Sequence, residues 1–123
     1  MRLAIGIFLI LHGFAHLVGF VVPWRLTSNA EMPYKTTLLA GHWDVGDVGI
    51  RITGIIWLAA AVAFLFAGIG VIRQSPWDEM LVLSVTTGSF VMCILSWPEA
   101  RIGVFVNAAI VLGLLLLKKF LPY

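Results

Sequence analysis

Charge is scarce in this sequence. Eight Lys and Arg and six Asp and Glu make up 11% of 123 residues. A soluble domain of this size carries about a quarter. So few charges cannot cover a water-facing surface, whereas a lipid-facing surface does not need them. The formal net charge of +2 comes from scattered basic residues. With no basic run or basic helix face, nucleic acid is not an expected partner. The single cysteine, Cys93, excludes an intramolecular disulfide and any Cys-rich metal motif. Its apolar surroundings suit a small buried residue better than a reactive thiol. No A-x-A-like cleavage site follows the first apolar run, Leu3–Val22, which is longer than a signal-peptide core and is read as a retained helix. No catalytic signature is present, so enzymatic activity is not the leading expectation.

Apolar residues are what the chain has in abundance: 61% of the total, with a mean hydropathy of +1.04. A helix needs about 20 apolar residues to span a hydrocarbon core. Four runs approach this, at 3–22, 50–72, 80–97 and 102–117. They show no strict alternation, which argues against barrel strands. Pro23, Pro76, Pro98 and Pro122 punctuate them, and Trp24, Trp43, Trp77 and Trp97 fall near their ends, where indole rings favour the interface. Trp57 is the exception. The pattern predicts an all-α, integral membrane four-helix bundle forming one domain, residues 1–123. Neighbouring helices are expected antiparallel because the second and third connections are short.

Small residues predict where helices approach. Gly54, Ala61 and Gly68 recur every seven residues, Ser84 and Gly88 form a small-xxx-small pair, and Gly103 precedes Asn107 by one turn. The first connection is long. Residues 32–40 fit a short interfacial helix stopped at Gly41, and GHWDVGDVG (41–49) is a polar, glycine-rich candidate cover for a site. With four spans the termini share a side with Arg2, Arg73, Lys118 and Lys119. The opposite side holds Arg25, Lys35, Arg51 and Arg101. Placing Arg51 within its helix puts the termini on the cytoplasmic side of a multi-pass protein of the cell membrane, an inner membrane in a bacterium. The Lys118–Lys119 pair reads as an interfacial anchor.

Ordering the polar residues by depth gathers them at the loop end. His12 and His16 are four apart and share a face of the first helix. Arg51, Asn107, Cys93 and Ser96 reach the same end from the other helices, and His42, Asp44, Asp47 and Glu99 lie in or beside the loops there. Ionisable groups within a membrane usually face the bundle interior and are partnered. A polar pocket lined by His12, His16, Arg51 and Asn107 is therefore expected, with His42, Asp44, Asp47 and Glu99 as further candidates. Each has a structural alternative. The histidines and Asn107 can be interhelical glue, Asp47 and Arg51 a helix-terminal ion pair, and Glu99 and Arg101 interfacial. A metal site on His12 and His16 needs further ligands, such as His42, Asp44 or Glu99, brought in by the loop.

The stretch RLAIGIFLILHGFAHLVGF (2–20) resembles the opening of DoxX-like membrane proteins, with Arg2, Gly6, His12 and Gly13 at the corresponding positions. TGIIWLAAAVAFLFAGIG (53–70) resembles their second helix. LHGFAHLVGF together with SWPEARIGVFVNAAI is also similar to a group of small bacterial membrane proteins without assigned function. DoxX relatives include a subunit of a thiosulfate:quinone oxidoreductase. The resemblance implies four helices and a quinone- or redox-linked membrane setting, and it carries over no catalytic residue. The functional expectation is a small membrane protein that binds a small or lipophilic ligand, quinone among the candidates, as an accessory subunit of a redox system. A structural partner of another membrane protein or of a second copy is the alternative, and a metal-dependent enzyme comes third.

Overall fold

The computed structural model describes residues 1–27 and 33–120, with side chains through 116. The chain is all-helical apart from a minimal strand pair. In order come α1 (Arg2–Ala15), α2 (Val18–Val21), β1 (Thr37–Leu38), β2 (Trp43–Asp44), α3 (Gly46–Arg73), α4 (Asp78–Leu95) and α5 (Arg101–Phe120). Three helical stretches among the described residues are long and apolar enough to cross a membrane: Arg2–Val21, Gly46–Arg73 and Asp78–Leu95. The apolar part of α5, Arg101–Leu116, is shorter, at about 24 Å for 1.5 Å per residue.

The first span is interrupted. At His16 and Leu17 the backbone tightens, and the amides of His16 and Leu17 donate to the carbonyls of Gly13 and Phe14, three residues back. This is a 3₁₀ turn inside an apolar helix. The interfacial helix expected at 32–40 is not present over its described part: Thr37–Leu38 pairs antiparallel with Trp43–Asp44. Leu39, Ala40 and Gly41 all take positive φ, and this left-handed turn replaces the helix. Its amides are used across the fold, Leu39 N–H donating to Leu95 O at 2.7 Å and Ala40 N–H to Trp97 O at 3.0 Å. Those are carbonyls that the end of α4 would otherwise leave unpaired. Residues 33–40 thus form a strap across one end of the helices.

α1 packs along α3 through small residues. A Cβ on Gly6 would lie 2.7 Å from Gly68 O, and one on Gly13 2.9 Å from Ala61 O. A Cβ on Gly19 would strike the Trp57 ring, and one on Gly54 the Trp24 ring. The seven-residue recurrence of Gly54, Ala61 and Gly68 is therefore the seam for the first helical stretch, as its spacing suggests. Ser84 and Gly88 differ: both are exposed, and a Cβ on Gly88 meets nothing within 4 Å. The buried stripe of α4 runs instead through Val82, Thr86, Ser89 and Cys93.

Large apolar side chains face outward, Phe66 being 56% exposed and Phe105 67%. Trp24, Trp43, Trp77 and Trp97 are also exposed, while Trp57 is buried. The end opposite the strap also holds a buried polar contact. Arg2 donates to Val71 O at 3.0 Å and pairs with the buried Asp78 at 3.1 Å. Asp78 reads as a hairpin residue in sequence, but it opens α4 inside the contact with α1.

The α1–α3 seam gives a direct prediction. Gly68→Leu forces the seam apart and lowers unfolding stability in detergent by about 1–3 kcal/mol, the usual cost of overpacking. Gly88→Ala leaves the melting temperature unchanged.

Candidate functional site

The 3₁₀ turn decides the site. In a continuous helix the His16 amide would donate to the His12 carbonyl. Here it donates to Gly13, and the His16 ring takes its place, Nδ1–H donating to His12 O at 2.8 Å. A carbonyl only accepts, so His16 Nδ1 carries a proton and Nε2 of the neutral ring is an acceptor. The hydroxyl of Ser89 donates to it at 2.5 Å. The Ser89 oxygen accepts in turn from Asn107 Nδ2–H at 2.8 Å. Asn107 Oδ1 then accepts from His12 Nε2–H at 3.0 Å. The result is a closed ring of hydrogen bonds, His12 to Asn107 to Ser89 to His16 and back to His12. Tautomers and amide orientation follow from donor–acceptor consistency.

The ring joins α1, α4 and α5. His16, Ser89 and Asn107 are 4%, 1% and 0% exposed. Phe64 of α3 lies against both imidazoles, at 4.9 Å from His12 and 5.0 Å from His16 between ring centres, and Trp57 sits 5.1 Å from His16. Cys93, buried, receives a weak contact from Asn107 Nδ2 at 3.6 Å. Gly103 makes room for its sulfur, which a Cβ there would meet at 2.5 Å.

A cavity of about 410 Å³ opens beside this ring toward the strap. His12, His16, Trp57 and Cys93 line its floor, and Lys35, Leu38 and Glu99 lie at the strap. Ser96 also lines it, and neither the Trp57 indole N–H nor the Ser96 hydroxyl makes a hydrogen bond with a described residue. Lys35 forms an ion pair with Glu99. Partial burial disfavours the Glu99 carboxylate, yet the hydrogen bond and charge of Lys35 together with a backbone hydrogen bond at Glu99 outweigh this and hold its pKa below the ordinary value.

Several sequence candidates stand elsewhere. Arg51 does not join the histidines and Asn107. It is exposed, and its guanidinium lies 5.5 Å from the Trp24 ring centre, because its position on α3 faces away from the interior. Asp47 pairs with Arg25 at 3.3 Å and with the Tyr34 hydroxyl, not with Arg51. GHWDVGDVG does not cover the cavity; Pro33, Lys35, Thr37 and Leu38 do. His42 is exposed and tied to Leu39 O at 2.7 Å, so it completes no metal set with His12 and His16. Among the described residues no three His, Cys, Asp or Glu side chains come together as metal donors. Asp44 is a loop clasp, accepting from Thr36 Oγ1 at 2.9 Å and from Gly46 N–H at 3.0 Å. Lys118 and Lys119 lie outside the described side chains.

Ser89, Trp57 and Lys35 are members that the sequence does not assign to the site. The available signal was the spacing of Thr86, Ser89 and Cys93, which puts three small polar groups on one face of α4. No family model, curated protein or solved structure matches the chain.

Two predictions follow from these contacts. Ser89→Ala strands His16 Nε2 and Asn107 Nδ2 and lowers stability by about 1–3 kcal/mol. Ser84→Ala, on the exposed face of the same helix, shifts it by less than about 0.5 kcal/mol. The second concerns Asp44, whose carboxyl is held below the ordinary carboxylate range by the Gly46 amide and then the Thr36 hydroxyl. A lowered folded pKa means that this clasp stabilises the loop above the unfolded value of about 3.9. It is lost as pH falls through the folded value. The Gly46 amide resonance should therefore titrate with a midpoint below about 3.9, and Thr36→Val should raise that midpoint.

Proposed function

We propose that this chain is a multi-pass membrane protein whose loop-end cavity binds a small lipophile with a polar end. Supporting it is one juxtaposition: an apolar cavity of about 410 Å³ whose floor holds His12, His16 and Trp57. Ligand pockets are typically concave and apolar, with a few placed polar groups. The strap, with the Lys35–Glu99 pair, would be the side from which a ligand meets water.

The arrangement we propose around it is a four-helix bundle of antiparallel neighbours, with α5 as the fourth span. Residue pairings that run in opposite directions support this: Arg2 beside Val71, Gly13 beside Ala61, Ser89 beside Asn107 and Cys93 beside Gly103. The basic-residue tally favours termini on the cytoplasmic side. The likeness of residues 2–20 to DoxX-like proteins makes a quinone-linked redox system the natural setting, with this chain as an accessory subunit.

A second reading has its own support. The hydrogen-bond ring is internally satisfied, as interhelical glue would be. The protein would then be an assembly partner without a ligand.

The test is thermal unfolding in lipid nanodiscs with short-tailed alkylphenols, benzoquinones and benzoquinols. Binding at 100 times Kd adds about 2.7 kcal/mol, so a ligand raises the melting temperature of the unaltered protein. The His12→Ala/His16→Ala double variant, with helices still inserted, should lose that rise. If the double variant responds as the parent does, the pocket reading fails. If no compound acts on either while the double variant melts earlier, the assembly reading stands.

A further inference from the structure

The hydrogen-bond ring does more than hold helices together, because it has a direction. His16 Nδ1 must donate to the His12 carbonyl, which cannot donate back. Running the ring the other way would leave two lone pairs facing each other there, or require a charged His16. A charged imidazole among Phe64, Trp57 and Ser89 would be costly at this depth. The direction is therefore fixed at His16 and passes unchanged through Ser89 and Asn107 to His12. His12 must carry its proton on Nε2, where Asn107 Oδ1 accepts it. Its other nitrogen, Nδ1, is left as a bare acceptor.

That nitrogen makes no hydrogen bond with any described residue. It is also not sealed off. Among the described residues, Thr86 Oγ1 is the buried side-chain polar atom without a partner, and His12 Nδ1 does not share that condition. His12 lines the loop-end cavity. Trp57, whose indole N–H makes no hydrogen bond with a described residue, lines the same cavity. A hydroxyl can donate to the acceptor of His12, whereas a carbonyl or ether oxygen cannot.

We infer that the cavity selects lipophiles ending in an O–H donor, such as a phenol, quinol or alcohol, over their ether or carbonyl counterparts, because the ring fixes His12 as an acceptor. This rests on the cavity being a ligand site and names the chemistry of what it takes. Asn107 is then a positioning residue: it touches no ligand and sets which His12 nitrogen carries the proton.

The experiment compares 4-butylphenol with 4-butylanisole, which share a tail and an accepting oxygen and differ in the O–H. Binding to the protein in nanodiscs is measured against protein-free nanodiscs, so that partitioning into lipid cancels. The phenol should bind about tenfold tighter or better, the effect of a buried acceptor left unpaired by the ether. In a sample labelled with ¹⁵N-histidine, the unprotonated His12 Nδ1 resonance should move with the phenol and not with the anisole. Asn107→Leu frees His12 to change tautomer and should shrink the preference to about twofold or less, since the ring then dictates neither form. The labelled, unaltered protein decides the matter if that variant does not fold. Equal binding of the two compounds with an unmoved Nδ1 overturns the inference and leaves the ligand cavity standing. A preference that persists in folded Asn107→Leu overturns the role of the ring. Binding of neither above protein-free nanodiscs overturns the inference and the cavity reading together.

Discussion

One carbonyl sets the terms for the interior of this protein. The tightening of the backbone at His16 and Leu17 removes the amide that would have served His12 O. A buried backbone carbonyl does not stay unpaired, least of all where no water is at hand. The His16 ring fills that role, and its second nitrogen then needs a donor of its own. Ser89 supplies it, Asn107 supplies Ser89, and His12 supplies Asn107. A local backbone irregularity is thereby converted into a tie across α1, α4 and α5.

That tie depends on how closely α1 approaches α3. Gly6 and Gly13 leave no room for a Cβ against Gly68 and Ala61. The close approach seats both imidazoles on Phe64, which is fully buried. From there they reach past α3 to the polar stripe of α4 and to Asn107. Larger residues at the seam would lift the histidines away from their partners. Packing and polarity are therefore a single requirement here, and the polar ring exists only because the apolar contact beneath it is so thin.

The sequence carried this unevenly. Four apolar helices were legible from run length, and the seam on α3 was legible from the spacing of Gly54, Ala61 and Gly68. The gathering of His12, His16 and Asn107 was legible because each must avoid lipid and all three fall at similar depth. Arg51 was misplaced by the same reasoning: depth does not say which way a side chain leaves its helix, and a long arginine near a helix end can reach outward. The strap was misread because Leu39 and Ala40 adopt left-handed backbone that their side chains disfavour. Tertiary hydrogen bonds to Leu95 and Trp97 help to hold them there, and no local pattern announces those. Asp78 was overlooked because its partner, Arg2, is 76 positions away.

The placement of the ring between two cavities carries a further consequence. α1 packs along α3 rather than along α5, so the space between α1 and α5 is bridged chiefly by side chains. Toward the chain termini it holds a cavity of about 360 Å³ lined by Arg2, Ile5, Leu9, Val82, Ile110 and Leu114. Toward the strap it holds the cavity of about 410 Å³. The His12–Asn107 bond stands between them. Of the two, only the strap-side cavity is lined by the histidines. The ring thus borders one cavity through its histidines, and the asymmetry comes from His12 and His16 lying about one and two turns beyond Leu9 toward the strap.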